Sequence, residues 1–365
     1  MKNYSFEPRL ERASTLPSDW YFDRKILELE KEKVFYRTWQ LVGREEQVAE
    51  PYQFFTAKIC DEPIIVSHGA DNKLRAFSNI CRHRAGMVAT GEGKRKTFQC
   101  NYHGWTYSSE GKLLGMPEFD EVECWEKEKV CLPQFRVDTW AGLVFVNLDN
   151  ECETLPDVLG DLSSQIKHDM RKMKLAAKKD WVIECNWKTY IDNYLEGYHI
   201  PIVHPALHKE LDYANYKVET KKNYSIQHSP LRKNAPGRLR VSESNEENQA
   251  QYFWMFPNFI LNVYCDNFST NLIIPISEEK TLTVFEWYFI EPESVKEKID
   301  ETVKFSDEVQ IEDINICETV QRNFHSRTYT NGRYSVKREN GVHHFHRMMC
   351  EFTNDKKEMP ANHAK

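Results

Sequence analysis

The sequence predicts an α+β protein: a small antiparallel β domain, then an antiparallel sheet that grips a long C-terminal helix. Three observations carry this expectation. At 365 residues the chain exceeds an average domain of roughly 150, so two domains are expected. Residues 40–150 read as short β-branched or aromatic runs, at Pro63–Val66, Leu74–Ile80, Thr97–Tyr102 and Leu143–Leu148, broken by turn clusters at His68–Asn72 and Ser108–Lys112. Several strands between Val218 and Glu291 then precede Val295–Phe324, where Val303, Val309, Ile316 and Val320 form an apolar helical stripe that must face a core.

The remaining elements follow in chain order. Residues 20–38 place Ile26, Leu29, Lys33/Val34 and Tyr36 near helical spacing, an amphipathic helix ahead of the first domain. A charged helical stretch is expected at Leu162–Lys179 and another helix through Asn186–Tyr198, with a frayed, polar tail past Thr353. Forty-nine basic residues against 56 acidic ones give −7, and no long block of like charge suggests a nucleic-acid partner. The first residues lack an apolar leader, and no stretch approaches the roughly 18 apolar residues that span a bilayer. A cytoplasmic protein without membrane contact is therefore expected, whose ten cysteines are reduced thiols, some of them ligands.

Two loops each supply a thiolate and an imidazole: Cys81-Arg-His83 and, after seventeen residues, Cys100-Asn-Tyr-His103. A structural zinc fits the count, although zinc sites usually group their ligands as a Cys pair and a His pair. A Rieske [2Fe–2S] centre needs two sulfurs on one iron and two imidazoles on the other, which mixed loops supply naturally. Gly86, Gly91, Gly93 and Gly104 allow tight loops whose N–H groups approach cluster sulfurs.

His199 and His204, five apart, would diverge by about 140° on a continuous helix. Pro201 breaks the helix, so that His199 closes it and His204 swings back. Asp313 lies on the apolar stripe, four residues after Val309 and three before Ile316, where an unpaired carboxylate is costly. Two histidines and a carboxylate make the facial triad of non-haem Fe(II) oxygenases. Asp307, Glu308 and Glu312 compete for the third place; Glu312 sits about 100° around the helix and is expected to be solvated. Glu196, three residues before His199, is placed to orient its ring. His208 reads as a surface or rim residue, and His343, His344 and His346 as a solvated segment without a ligand carboxylate.

The segment CRHRAGMVATGEGKRKTFQCNYHGWTY resembles the cluster-binding segment of Rieske non-haem iron oxygenases, and the resemblance covers most of the chain. It implies a domain order of an N-terminal helical segment (1–38), a Rieske [2Fe–2S] domain (39–150) and a helix-grip domain with mononuclear iron (151–365). Cys81, His83, Cys100 and His103 match the cluster ligands, and His199, His204 and Asp313 the iron ligands. Most ring-hydroxylating members carry aspartate where this chain has Glu196. Glutamate there, in DNYLEGYHIPIVHPAL, resembles the choline monooxygenase, carnitine oxygenase and glycine-betaine demethylase branch. The family also implies a head-to-tail homotrimer, with Glu196 as the electron bridge between a cluster and the neighbouring subunit's iron.

No strand-turn-helix GxGxxG and no plant-type ferredoxin cysteine spacing is present. Electrons are therefore expected from a separate flavin or iron–sulfur reductase using NAD(P)H, and dioxygen is the oxidant. The expected activity is hydroxylation, oxidative demethylation or C–N cleavage of a quaternary ammonium compound; aromatic-ring hydroxylation or O-demethylation is the alternative. From other classes, an electron carrier needs no His/His/Asp site, and a zinc-stabilised binding module needs no iron. Aromatics at Tyr252–Phe259 and Phe285–Phe289, with Glu286 or Asp266, are candidates for an ammonium cage.

Overall fold

The computed structural model describes residues 4–166, 169–232, 249–264 and 266–354. They form two compact units: Phe35–Asp157, and Met1–Val34 together with Val158–Lys365.

Helix α1 (Arg24–Lys33) opens on Asp23, whose carboxylate accepts from Lys25 N, a short-range cap for an otherwise exposed N–H. The Phe35–Asp157 unit follows with ten strands: β1 (Gln40–Arg44), β2 (Gln53–Ile59), β3 (Glu62–His68), β4 (Leu74–Ser78), β5 (Glu92–Lys94), β6 (Thr97–Gln99), β7 (Thr106–Ser108), β8 (Leu113–Gly115), β9 (Gln134–Trp140) and β10 (Leu143–Asn147). Seven make an antiparallel sheet in the order β1-β10-β9-β4-β3-β2-β5, and β6-β7-β8 make a second. Each of the four expected runs contains a strand, although Thr97–Tyr102 is strand only to Gln99 and Leu74–Ile80 only to Ser78. Phe54, Phe77, Phe98, Trp105 and Tyr107 share one buried cluster with Cys81 and Cys100, so the core positions both cysteine loops.

Helices α2 (Leu155–Leu159) and α3 (Leu162–Gln165) lead into the second unit. There β11 (Lys174–Ile183), β12 (Lys217–Thr220), β13 (Tyr224–Pro230), β14 (Gln249–Met255), β15 (Phe259–Val263), β16 (Asn267–Ser277) and β17 (Lys280–Phe289) form one antiparallel sheet in the order β11-β17-β16-β15-β14-β13-β12. Between β11 and β12 lie α4 (Trp187–Tyr194), α5 (Ile200–Val203) and α6 (Pro205–Glu210), and after β17 come α7 (Lys296–Phe324) and α8 (Asn340–Thr353). Register places Gln227, Tyr252, Asn262, Ser269 and Trp287 side by side across β13 to β17. Directly paired residues point to the same face, so this row is the floor beneath α7. The α+β fold with a gripped helix is the one expected.

Three local expectations need correction. Leu162–Lys179 is helical only to Gln165, and from Lys174 it is β11, a sheet edge paired with β17. Its lysine- and alanine-rich start favours helix intrinsically, but pairing overrides propensity, and lysine suits an edge strand. The buried residues of α7 are Ile299, Phe305, Gln310, Cys317 and Gln321, while Val303, Val309, Ile316 and Val320 of the expected stripe are only half-buried. Residues 343–346 are not solvated: α8 buries His344 and His346.

The described cysteines form no disulfide. No helix among the described residues is long and apolar enough to cross a membrane. Residues 355–365, most of the tail expected to fray, lie outside the described residues.

Candidate metal centres

In the Phe35–Asp157 unit, the loop after β4 carries Cys81 and His83, and the β6–β7 turn carries Cys100 and His103. Each cysteine is fixed by its own backbone. Cys81 N donates to Gly86 O (2.8 Å) and Cys100 N to Trp105 O (2.9 Å), while Gly104 N closes the second turn on Cys100 O (3.0 Å). Gly104 has φ +74, and a Cβ at Gly86 would lie 2.8 Å from Cys100 Sγ. The first position needs glycine for conformation and the second for space.

The His83 ring stacks on Trp105 (4.9 Å, 7°) and meets His103 edge-on (4.5 Å, 73°). His83 Nδ1 is buried without a hydrogen-bond partner, an arrangement that costs stability unless something binds it. Tyr107 OH accepts from Arg82 N (3.0 Å), which leaves its proton for Cys81 Sγ at 3.4 Å. Burial pushes the Cys100 thiol up, and the neighbouring Cys81 adds to this, while N–H groups of Tyr102 and His103 pull it down. These sulfurs and imidazoles therefore suit a metal group that takes them as thiolates and neutral rings. Among the described residues the four do not converge as a single-ion site does, which favours a two-iron cluster over one zinc.

In the other unit, His199, His204 and Asp313 do converge, with one donor atom from each inside 4.8 Å of the others. Asp313 Oδ1 lies 3.0 Å from His204 Nε2 and 3.8 Å from His199 Nε2. The local route differs from the expected one. Helix α4 ends at Tyr194, and Pro201 occupies the first turn of α5 rather than breaking α4. His199 caps α5, and His204 ends it while Pro205 starts α6. Proline is favoured at a helix start because its missing N–H would be unpaired there anyway.

Glu196 acts through the turn rather than along a helix face. Its Oε1 meets His199 Nδ1 at 2.7 Å, and its Oε2 accepts from His199 N (3.1 Å) and Tyr198 N. Glu312, expected in solvent, has its Oε2 2.7 Å from His204 Nδ1. Each ring thus has a carboxylate on Nδ1, which makes Nδ1 the donor and leaves the Nε2 lone pair for a metal. Burial works to lower the His204 pKa, but Asp313 and Glu312 outweigh it and hold it above the ordinary histidine value. Asn193 Nδ2 donates to Asp313 Oδ1 at 2.6 Å. The sequence reading missed Asn193, although its spacing of three from Glu196, itself three from His199, was a usable signal.

The other candidates stand apart. His208 is half-buried beside Tyr213 and Arg232. His346 is locked among Tyr334 OH (2.6 Å), Asp192 (2.9 Å) and Tyr21 OH (3.2 Å). Asp307 pairs with Lys179 at 2.6 Å. Beside the triad opens a cavity of about 150 Å³ lined by Tyr252, Tyr264, Phe285, Trp287 and Phe305. Glu286 and Asp266 do not line it: strand alternation turns Glu286 to Lys178 (3.4 Å) and Tyr288 OH (2.5 Å), and Asp266 pairs with Lys298.

Residues 38–126 match the family model of the Rieske [2Fe-2S] domain, and residues 170–354 that of the ring hydroxylating alpha subunit catalytic domain. A chloroplastic choline monooxygenase of Arabidopsis thaliana is 34% identical over 93% of this chain and 84% of its own. The carnitine monooxygenase oxygenase subunit of Acinetobacter pittii is 30% identical over 93% and 95%. A solved quaternary ammonium Rieske monooxygenase, described for carnitine oxidation and inter-subunit electron transfer, superposes with a TM-score of 0.83 at 28% identity, covering 96% of this chain and 100% of its own. The chain belongs to the Rieske non-haem iron oxygenases, as a ring-hydroxylating-type alpha subunit. It is accordingly an oxidoreductase whose cofactors are a Rieske [2Fe–2S] cluster and a mononuclear non-haem iron.

Proposed function

We propose that the chain is the terminal oxygenase of a system that hydroxylates or oxidatively demethylates a small quaternary ammonium compound of the choline, carnitine or betaine type. The observation that carries this reading is the cavity itself: the aromatic side chains of Tyr252, Tyr264, Phe285 and Trp287 line the same cavity as the His199, His204 and Asp313 triad. Ring faces attract a desolvated cation by up to about 2 kcal/mol. The choline- and carnitine-oxidising relatives support the same reading. In it Cys81, His83, Cys100 and His103 hold the cluster, and His199, His204 and Asp313 hold the iron.

Iron held by His199, His204 and Asp313 would supply activation of dioxygen for hydroxylation of a C–H bond, and a cluster held by Cys81, His83, Cys100 and His103 would supply the electrons. Glu196 and Glu312 hold the two rings with Nδ1 protonated, and Asn193 orients the Asp313 carboxylate. Phe285, Trp287 and Phe305 keep water from the substrate's carbon. A separate NAD(P)H-dependent reductase completes the system. The test is iron analysis with turnover: about three irons per chain, with thiolate-to-iron absorption, and dioxygen-dependent consumption of a quaternary amine given a surrogate reductase. Oxidation of a flat arene but not of any ammonium would overturn the substrate reading.

Glu196 is proposed also as the electron bridge, touching its own His199 and, in a homotrimer, His103 of the neighbouring copy. Glu196→Gln is then expected to leave metal content unchanged while slowing transfer to the iron. Mixed trimers of Glu196→Ala and His103→Ala chains should regain partial activity. No recovery in well-mixed trimers would argue for transfer within one chain.

A further inference from the structure

The side of α7 turned to the substrate cavity carries Thr302, Phe305, Ser306, Val309, Gln310 and Asp313, at the three- and four-residue spacing of one helical stripe. Most polar groups in the cavity wall are used by the fold. Thr302 Oγ1 donates to Lys298 O (2.8 Å), and Gln310 Oε1 accepts from Tyr190 OH (2.5 Å). Tyr194 OH donates to Asn262 Oδ1 (2.9 Å), whose Nδ2 donates to Ser269 Oγ (3.1 Å). Tyr252 and Tyr264 hydrogen-bond to each other.

Ser306 differs. It is half-buried and lines the cavity, and among the described residues its hydroxyl has no hydrogen-bond partner. Nor is its oxygen sealed among side chains, as the unpartnered oxygens of Asn267 and Asn271 are. A mid-helix hydroxyl commonly bonds back to the carbonyl four residues earlier, as Thr302 does here. Ser306 leaves its proton for whatever fills the cavity, and a hydroxyl rotates to suit its acceptor. Seven residues separate it from Asp313, two helical turns and about 10 Å of axis, so it addresses the end of a ligand remote from the metal triad. No lysine or arginine is among the described residues lining the cavity, so an oxygen at that end has to be held by a neutral donor.

We propose that Ser306 is a specificity residue whose hydroxyl donates a hydrogen bond to an oxygen on the far end of the substrate. The substrate is then an ammonium compound with an oxygen-bearing tail rather than a plain alkylammonium. The inference rests on the ammonium reading above and deepens it.

The experiment is calorimetric binding to the iron-loaded enzyme without an electron donor, so that nothing turns over. Two pairs of probes differ in the tail oxygen alone: choline against propyltrimethylammonium, and glycine betaine against isobutyltrimethylammonium. A fifth probe, 3,3-dimethyl-1-butanol, keeps the hydroxyl and lacks the cation. At least one oxygenated probe is expected to bind tighter than its alkyl counterpart, by roughly three- to tenfold for a hydroxyl tail or tenfold or more for a carboxylate, since hydrogen bonds to charged groups are the stronger. Ser306→Ala should bring that probe down toward its counterpart, whose own binding should hold. The pair that loses its ratio identifies the tail as hydroxyl or carboxylate. Neither oxygenated probe exceeding its counterpart in the wild type, or both ratios unchanged in Ser306→Ala, overturns the inference. Equal affinity for choline and dimethylbutanol overturns the ammonium reading instead, and the ratios in Ser306→Ala still decide what the hydroxyl does. Alanine is the best helix former, so the variant keeps α7, and the wild-type comparison stands without it.

Discussion

Replacing Asp313 by alanine is expected to strip the mononuclear iron and lower turnover by roughly a thousandfold or more, with the cluster's absorption spectrum unchanged. Two imidazoles hold Fe(II) weakly once the charged ligand is gone, and Asp313 is the carboxylate that lies 3.0 Å and 3.8 Å from the two Nε2 atoms. The cluster is expected to be unaffected because its proposed ligands, Cys81, His83, Cys100 and His103, lie in another folding unit. Glu312→Gln gives a graded contrast. It keeps all three proposed ligands and weakens the hold on His204 Nδ1 at 2.7 Å, so iron affinity should fall by roughly 10- to 100-fold. Iron retained at wild-type level in Asp313→Ala would move the third ligand to Glu312 itself.

Lys188→Met is expected to cost about 3–5 kcal/mol and lower the melting temperature of its unit by roughly 6–20 °C. Lys188 Nζ and Glu30 Oε1 meet at 2.7 Å with both side chains fully buried, and Trp187 Nε1 donates to Glu30 Oε2 at 2.8 Å. Burial pushes Glu30 up and Lys188 down, each toward its neutral form, and their mutual attraction opposes this. Removing one partner leaves a charge in a medium that cannot solvate it. Removing both should recover most of the loss, since a desolvated pair is worth little against apolar contacts. Thermal melts of Lys188→Met and of Lys188→Met with Glu30→Leu check both halves; equal melting of the two variants would show that the cost lies elsewhere.

The sequence made legible what is encoded over short spans. Cys81 and His83, or Cys100 and His103, are bound to share a loop whatever the rest of the chain does, and a carboxylate on an apolar helical stripe announces Asp313. Glu312 was hidden because helical geometry alone turns it from Asp313 by about 100°, and only the entry of His204 between α5 and α6 brings a ring to it. Lys174–Lys179, expected as helix, is strand for a related reason: its residues favour helix locally, and β17, about a hundred residues later, decides otherwise. His346 looked solvated because its partners, Tyr21 and Asp192, lie 325 and 154 residues away.

The same long separations set a timetable for the growing chain. Phe35–Asp157 is one continuous stretch and can close as soon as it leaves the ribosome. Residues before Val34 belong to a unit whose other strands and helices come later, with Tyr21 meeting His346 only across 325 residues. At about 5–20 residues per second, α1 waits roughly 15–65 s for its last neighbours. During that interval its apolar face, Ile26 and Leu27, stays uncovered, which makes α1 the segment that a holding chaperone would meet first.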